Sequence, residues 1–153
     1  MAARLVLGLA FLLAALPVSA QTYQVDDTGS QVLGGPLHLK PITPMPRGRL
    51  ATAVFGETRV RVRLDIAPWK GRRGRIYMSL PQQADDRIVA TWGTQGRLLP
   101  GTLRSGERTL VYAGPIDTDT LEDTLRLSIQ ADGSEPARGE QLAFSFEIDL
   151  DTP

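Results

Sequence analysis

The chain has 153 residues, with 17 basic and 17 acidic side chains, one histidine and no cysteine. This balance excludes wholesale attraction to nucleic acid or to a membrane surface, so any electrostatic function must be local. The lack of thiols excludes disulfide stapling, an N-terminal lipid anchor on cysteine and thiol chemistry, and leaves packing alone to hold the fold.

Residues 1–20 read as a secretory signal peptide cleaved before Gln21. Arg4 gives a short positive start, Leu5 to Leu16 is an apolar run, Pro17 breaks it, and Val18-Ser19-Ala20 is a small-residue cleavage site. The run is shorter than the roughly 20 apolar residues that a membrane span needs, so no transmembrane segment is expected after cleavage. Export without disulfides fits a bacterial periplasmic or extracellular protein. The mature chain has the length of one domain: a lead-in over 21–46 and a body over 47–153.

The lead-in is irregular. Asp26 to Ser30 and Gly34-Gly35-Pro36 are turn formers, and Pro41, Pro44 and Pro46 discourage central strands. Leu37 and Leu39 around His38 suffice for one short edge strand, and Arg49 to Phe55 for another. Gly56-Glu57-Thr58 then reads as a tight turn into the strongest pattern in the chain. Val60, Val62, Leu64 and Ile66 alternate with Arg59, Arg61, Arg63 and Asp65, which gives a strand one apolar face and one face rich in arginine. After the loop Trp69 to Arg75 the alternation resumes with Ile76, Met78 and Leu80 against Tyr77 and Ser79.

Beyond a polar turn at 82–86, Arg87 to Thr94 is a strand with Ile88, Ala90 and Trp92 on one side. Thr102 to Ala113 reads as a hairpin turning at Ser105-Gly106. An acidic loop or single helical turn follows at 116–123. Leu125, Leu127 and Ile129 mark one clean strand, and Leu142, Phe144, Phe146, Ile148 and Leu150 mark the last; a turn-rich connector at 131–139 joins them. No stretch after the leader sustains a 3.6-residue apolar period. Short alternating strands with frequent Gly and Pro predict an all-β fold: a single antiparallel, immunoglobulin-like β-sandwich, with a small closed barrel as the architectural alternative. The alternation does not give the strand order.

Three constellations carry chemistry. Arg59, Arg61 and Arg63 form a row of like charges that calls for neutralisation, either by an anionic ligand or by carboxylates of a neighbouring strand, with Glu147 and Asp149 as the obvious candidates. In the loop, Lys70, Arg72, Arg73 and Arg75 offer cationic forks and Trp69 a stacking face; the alternative is a solvated loop tip with Trp69 folded back on the core. The glycine spacing and lysine–hydroxyl pair of a phosphate-cradling nucleotide loop are missing. Asp117, Asp119, Glu122 and Asp123 are a weak calcium candidate against the reading of a solvated acidic turn.

Catalytic parts are scarce. His38 is the one histidine, no nucleophile elbow accompanies it, and zinc would have only carboxylates beside it. Carboxylate pairs such as Asp85 or Asp86 with Glu107 or Glu122 have no weight without a distance. Trp92, Tyr77 and Tyr112 either line a sugar-binding face or fill the core. The expectation is therefore a secreted or periplasmic, non-enzymatic binding or accessory module without cofactor. Its expected partner is an anionic glycan or another envelope protein, not nucleic acid. In general shape the chain also resembles surface subunits of the pilus or fimbria type, so a polymerising subunit or adhesin is the second reading and a hydrolase the third.

Overall fold

A computed structural model describes residues 21–35, 37–41, 53–82, 88–132 and 143–151. The expected signal peptide, most of the polar turn at 82–86 and most of the connector at 131–139 lie outside the described residues. Among the described residues alternation builds ten strands: β1 (Thr22–Val25), β2 (Gln31–Leu33), β3 (Lys40–Pro41), β4 (Ala53–Asp65), β5 (Arg73–Ser79), β6 (Val89–Gly93), β7 (Gly101–Arg104), β8 (Arg108–Pro115), β9 (Thr120–Asp132) and β10 (Ser145–Leu150). They form two antiparallel sheets, one of four strands in the order β1-β10-β5-β8 and one of six in the order β2-β4-β9-β6-β7 with β3 also on β4. The apolar residues of both sheets fill one core, with Leu64, Ile76, Leu103, Leu121 and Ile148 among its fully enclosed side chains. This is the expected all-β sandwich.

The strand order refines the immunoglobulin-like expectation to a jelly roll. Pairings nest: β6 with β7, β5 with β8, β4 with β9 and β1 with β10, successive pairs falling in opposite sheets. Crossovers between sheets are coupled at each end. At one end, Ile66 donates to the Asp119 carbonyl (2.9 Å), Gly71 to Ile116 (2.8 Å) and Ile116 to Arg72 (2.8 Å). At the other, Leu80 donates to Glu107 (3.1 Å) and Gly106 to Leu80 (2.9 Å). These bonds satisfy backbone groups that leave the ladders where the chain changes sheets.

Four local expectations are corrected. Ser105-Gly106 is a turn, with Gly106 at φ 76°, but its arms do not form a hairpin: β7 pairs with β6 in one sheet and β8 with β5 in the other. Alternation along two arms is the same whether they pair together or with distant strands, and the long-range partners decide. Gly56 is no turn either. It lies inside the thirteen-residue β4, opposite Ile129, where Leu37, Leu39 and the His38 carbonyl crowd so closely that a Cβ would come within 2.9–3.0 Å of them. Leu37 and Leu39 thus pack as irregular chain over Gly56, and the edge strand falls at Lys40–Pro41 instead. Residues 21–41, read as an irregular lead-in, supply strands to both sheets: β1 on β10, and β2 and β3 on β4.

Gly101 is held by a similar approach, since a Cβ there would meet the Trp92 ring at 2.8 Å and Thr109 Cγ2 at 3.0 Å. Trp92 is buried and its indole N–H donates to the Leu99 carbonyl at 3.0 Å, so the ring cannot retreat without losing that bond. Gly101→Ala is expected to destabilise the fold by about 1–3 kcal/mol through overpacking, read as a lower denaturant midpoint with an unchanged slope.

Candidate functional site

The thirteen-residue ladder of β4 and β9 turns one residue set inward and the other out. Val62, Leu64, Leu121 and Leu125 enter the core, while Arg59, Arg61, Arg63, Glu122, Thr124 and Arg126 face solvent. Across that outer face the register aligns rows. One runs Leu33 (β2), Arg59 (β4), Arg126 (β9), Gly93 (β6). Its neighbour on one side is Gln31, Arg61, Thr124, and on the other Glu57, Ser128, Thr91, Thr102. Arg59 and Arg126 are therefore directly opposed on adjacent strands, where Cβ atoms stand about 4.5–5.5 Å apart, and Arg61 lies about 7 Å along β4.

Three of these cations lack a counter-charge among the described residues. Among the described residues, Arg59, Arg61 and Arg126 have no carboxylate within ion-pair distance, whereas Arg63 Nε reaches Glu122 at 3.3 Å between two half-exposed side chains. Like charges directly opposed across strands are unfavourable. Arg126 was not singled out by the sequence. It sits on the polar parity of β9, but only the pairing with β4 puts it beside Arg59.

Glu147 and Asp149, expected to neutralise the arginine row, lie in the other sheet, because β10 pairs with β1 and β5 and not with β4. There they serve Arg108. Its guanidinium holds Asp149 through two bonds (3.2 and 3.0 Å), approaches Glu147 at 3.6 Å and lies 4.2 Å from the centre of the Tyr77 ring. Thr22 donates to the same Asp149 carboxylate at 2.6 Å, so one buried acid ties β1, β10 and β8 together across β5. Burial raises the Asp149 pKa, but the hydrogen bonds from Arg108 and Thr22 outweigh it and hold the carboxyl below its ordinary value, while the same pairing raises Arg108.

The loop cations are dispersed. Ala67–Trp69 forms a single 3₁₀ turn, and Trp69 folds back against the core beside Tyr23, with ring centres 6.0 Å apart. Lys70 is bonded to Asp119 at 2.9 Å, Arg72 is exposed in the turn, and Arg73 and Arg75 belong to β5, with Arg75 3.6 Å from Asp151. Arg73 and Arg75 thus lie on the four-stranded sheet, and Arg59, Arg61 and Arg63 face outward from the six-stranded sheet. The two sets do not converge on one surface.

The acidic residues separate as well. Asp117 reaches Arg97 at 3.4 Å, Asp119 holds Lys70, and Glu122 holds Arg63. Asp123 points inward and accepts backbone N–H groups of Gln95 (3.1 Å), Leu98 (2.8 Å) and Thr124 (2.6 Å), which pins the 95–98 bend to β9. Among the described residues no three metal-ligating side chains gather. Trp92 and Tyr112 are core, and Tyr77 lies beneath Arg108, so these three rings do not line an open face. His38 is exposed.

No protein-family model and no curated protein matches the chain. Among solved structures, TmCBM61 in complex with beta-1,4-galactotriose aligns over 81% of this chain and 86% of its own, with a TM-score of 0.31 and 9% identity.

Because Asp149 titrates lower in the folded chain than its ordinary 3.8, its contribution is full above that value and is lost as pH falls through the lower folded value. Asp149→Asn is expected to cost about 1–3 kcal/mol at neutral pH, and less than that in acid. Denaturant midpoints from about pH 6 to about pH 2 check this: wild type and variant should converge at the acid end.

Proposed function

We propose that this chain is an exported, non-enzymatic binding module that takes an acidic glycan of the bacterial envelope or surface on the outer face of its six-stranded sheet. The observation that carries the reading is the row of guanidinium groups on Arg59, Arg61 and Arg126, which have no carboxylate partner among the described residues, whereas Arg63, Arg75 and Arg108 each approach an acid. Around them stand hydroxyls and an amide: Ser128, Thr91, Thr102, Thr124 and Gln130. Such groups match sugar hydroxyls, and guanidinium forks match carboxylate or sulfate oxygens. A protein partner would want an apolar centre to its interface, and the described centre of this face is polar, with Phe55 and Leu33 towards its margins.

The other readings have less behind them. A polymerising subunit would donate its lead-in to another copy, but Thr22–Val25, Gln31–Leu33 and Lys40–Pro41 already pair within this chain's own sheets. A histidine-assisted hydrolase would need a partner for His38, and among the described residues none hydrogen-bonds its ring.

The test is binding of the mature protein to polygalacturonate, with neutral dextran as control. Binding should weaken as salt is raised, because the contacts are exposed charges. The double variant Arg59→Ser, Arg61→Ser should lose about tenfold or more in affinity while unfolding normally. Salt-independent binding, or equal affinity for dextran, would reject the reading.

A further inference from the structure

The register of β4 and β9 singles out one seat within that face. Arg59 and Arg126 are directly opposed, both exposed, and neither has a carboxylate partner among the described residues. Beside Arg126 on β6 stands Gly93, where a Cβ would find nothing within 4 Å, so the space next to the pair is open. Hydroxyl residues flank it on both sides along β9, Thr124 toward Arg61 and Ser128 toward Thr91. Ser128 Oγ is 3.4 Å from Glu57 Oε1, so the nearest acid on that side faces a hydroxyl and not a guanidinium.

We infer that Arg59 and Arg126 together form a seat for one oxyanion group, a carboxylate or sulfate borne by a glycan, with Arg61 as the cation for the next charged group along the chain. The inference rests on the glycan reading above and adds to it a residue pair that must act as a unit. Two planar forks that reach one group from opposite strands can share its oxygens, and an anion between them removes the repulsion they exert on each other in the free protein. The strands fix both Cα positions, so little backbone order has to be gained on binding.

The experiment compares wild type, Arg126→Ser, Arg59→Ser, the double variant of these two, and Arg72→Ser with Arg73→Ser, each titrated with polygalacturonate and with dextran sulfate. Either single variant at the pair should lose about tenfold or more with whichever polymer wild type binds, and the double variant little beyond that, because half a seat holds little. The Arg72, Arg73 variant should stay within about twofold of wild type. Polygalacturonate alone, dextran sulfate alone, or both as ligands identify carboxylate, sulfate or either as the seated group. Losses at Arg59 and Arg126 that simply multiply, or an Arg126→Ser affinity equal to wild type, would overturn the seat. If Arg59→Ser, Arg61→Ser still abolishes binding in that case, the wider glycan reading survives. Wild type that binds neither polymer sinks both. A second readout needs no ligand: at low salt the thermal midpoint of Arg126→Ser should equal or exceed that of wild type, since a repulsion is removed. A clear drop would mean that Arg126 holds the fold together, and would overturn the inference.

Discussion

The ladder between β4 and β9 is the constraint on which the other features of this molecule depend. Thirteen consecutive residue pairs lock two strands in a single register, from Ala53 opposite Asp132 to Asp65 opposite Thr120. A slip by one residue would send Val62, Leu64, Leu121 and Leu125 into water and the arginines into the core, so the buried face enforces the register. The outer face inherits it without being consulted. Arg59 lies opposite Arg126 because Val60 must lie opposite Leu125 on the other side of the same sheet.

The two outer faces resolve their charge in different ways. On the four-stranded sheet, Asp149 is buried beneath Arg108 and Thr22, and a buried carboxylate needs such partners to stay ionised. That cluster is closed and ties three strands across a fourth. On the six-stranded sheet the guanidinium groups stay in water, where screening over about 8 Å at physiological salt keeps their mutual repulsion small. A fold can carry a row of this kind, unneutralised by acids among the described residues, at little cost.

Nested pairing also explains which loops are tied down. At each end of the roll crossovers lie side by side, and neighbouring crossovers satisfy one another's backbone groups. Asp123 does the same work for the 95–98 bend by accepting three N–H groups with one carboxylate. An acid that looks like part of a calcium cluster in the sequence is therefore spent on backbone hydrogen bonds.

Period-two alternation alone determined the all-β class, the inward set on β4, β5, β6, β9 and β10, and the exposure of Arg59, Arg61 and Arg63, because side-chain direction in a strand is a local property of the backbone. The same local rule misplaced a hairpin at Ser105-Gly106 and a turn at Gly56, since neither a strand's partner nor what crosses above a glycine is written in its own neighbourhood. Strand partners come from sealing one core between two sheets, a problem solved by residues as far apart as Thr22 and Asp149. For that reason only the tertiary structure decided that Glu147 and Asp149 serve Arg108, that the loop arginines and strand arginines occupy different surfaces, and that Arg126 is the neighbour of Arg59.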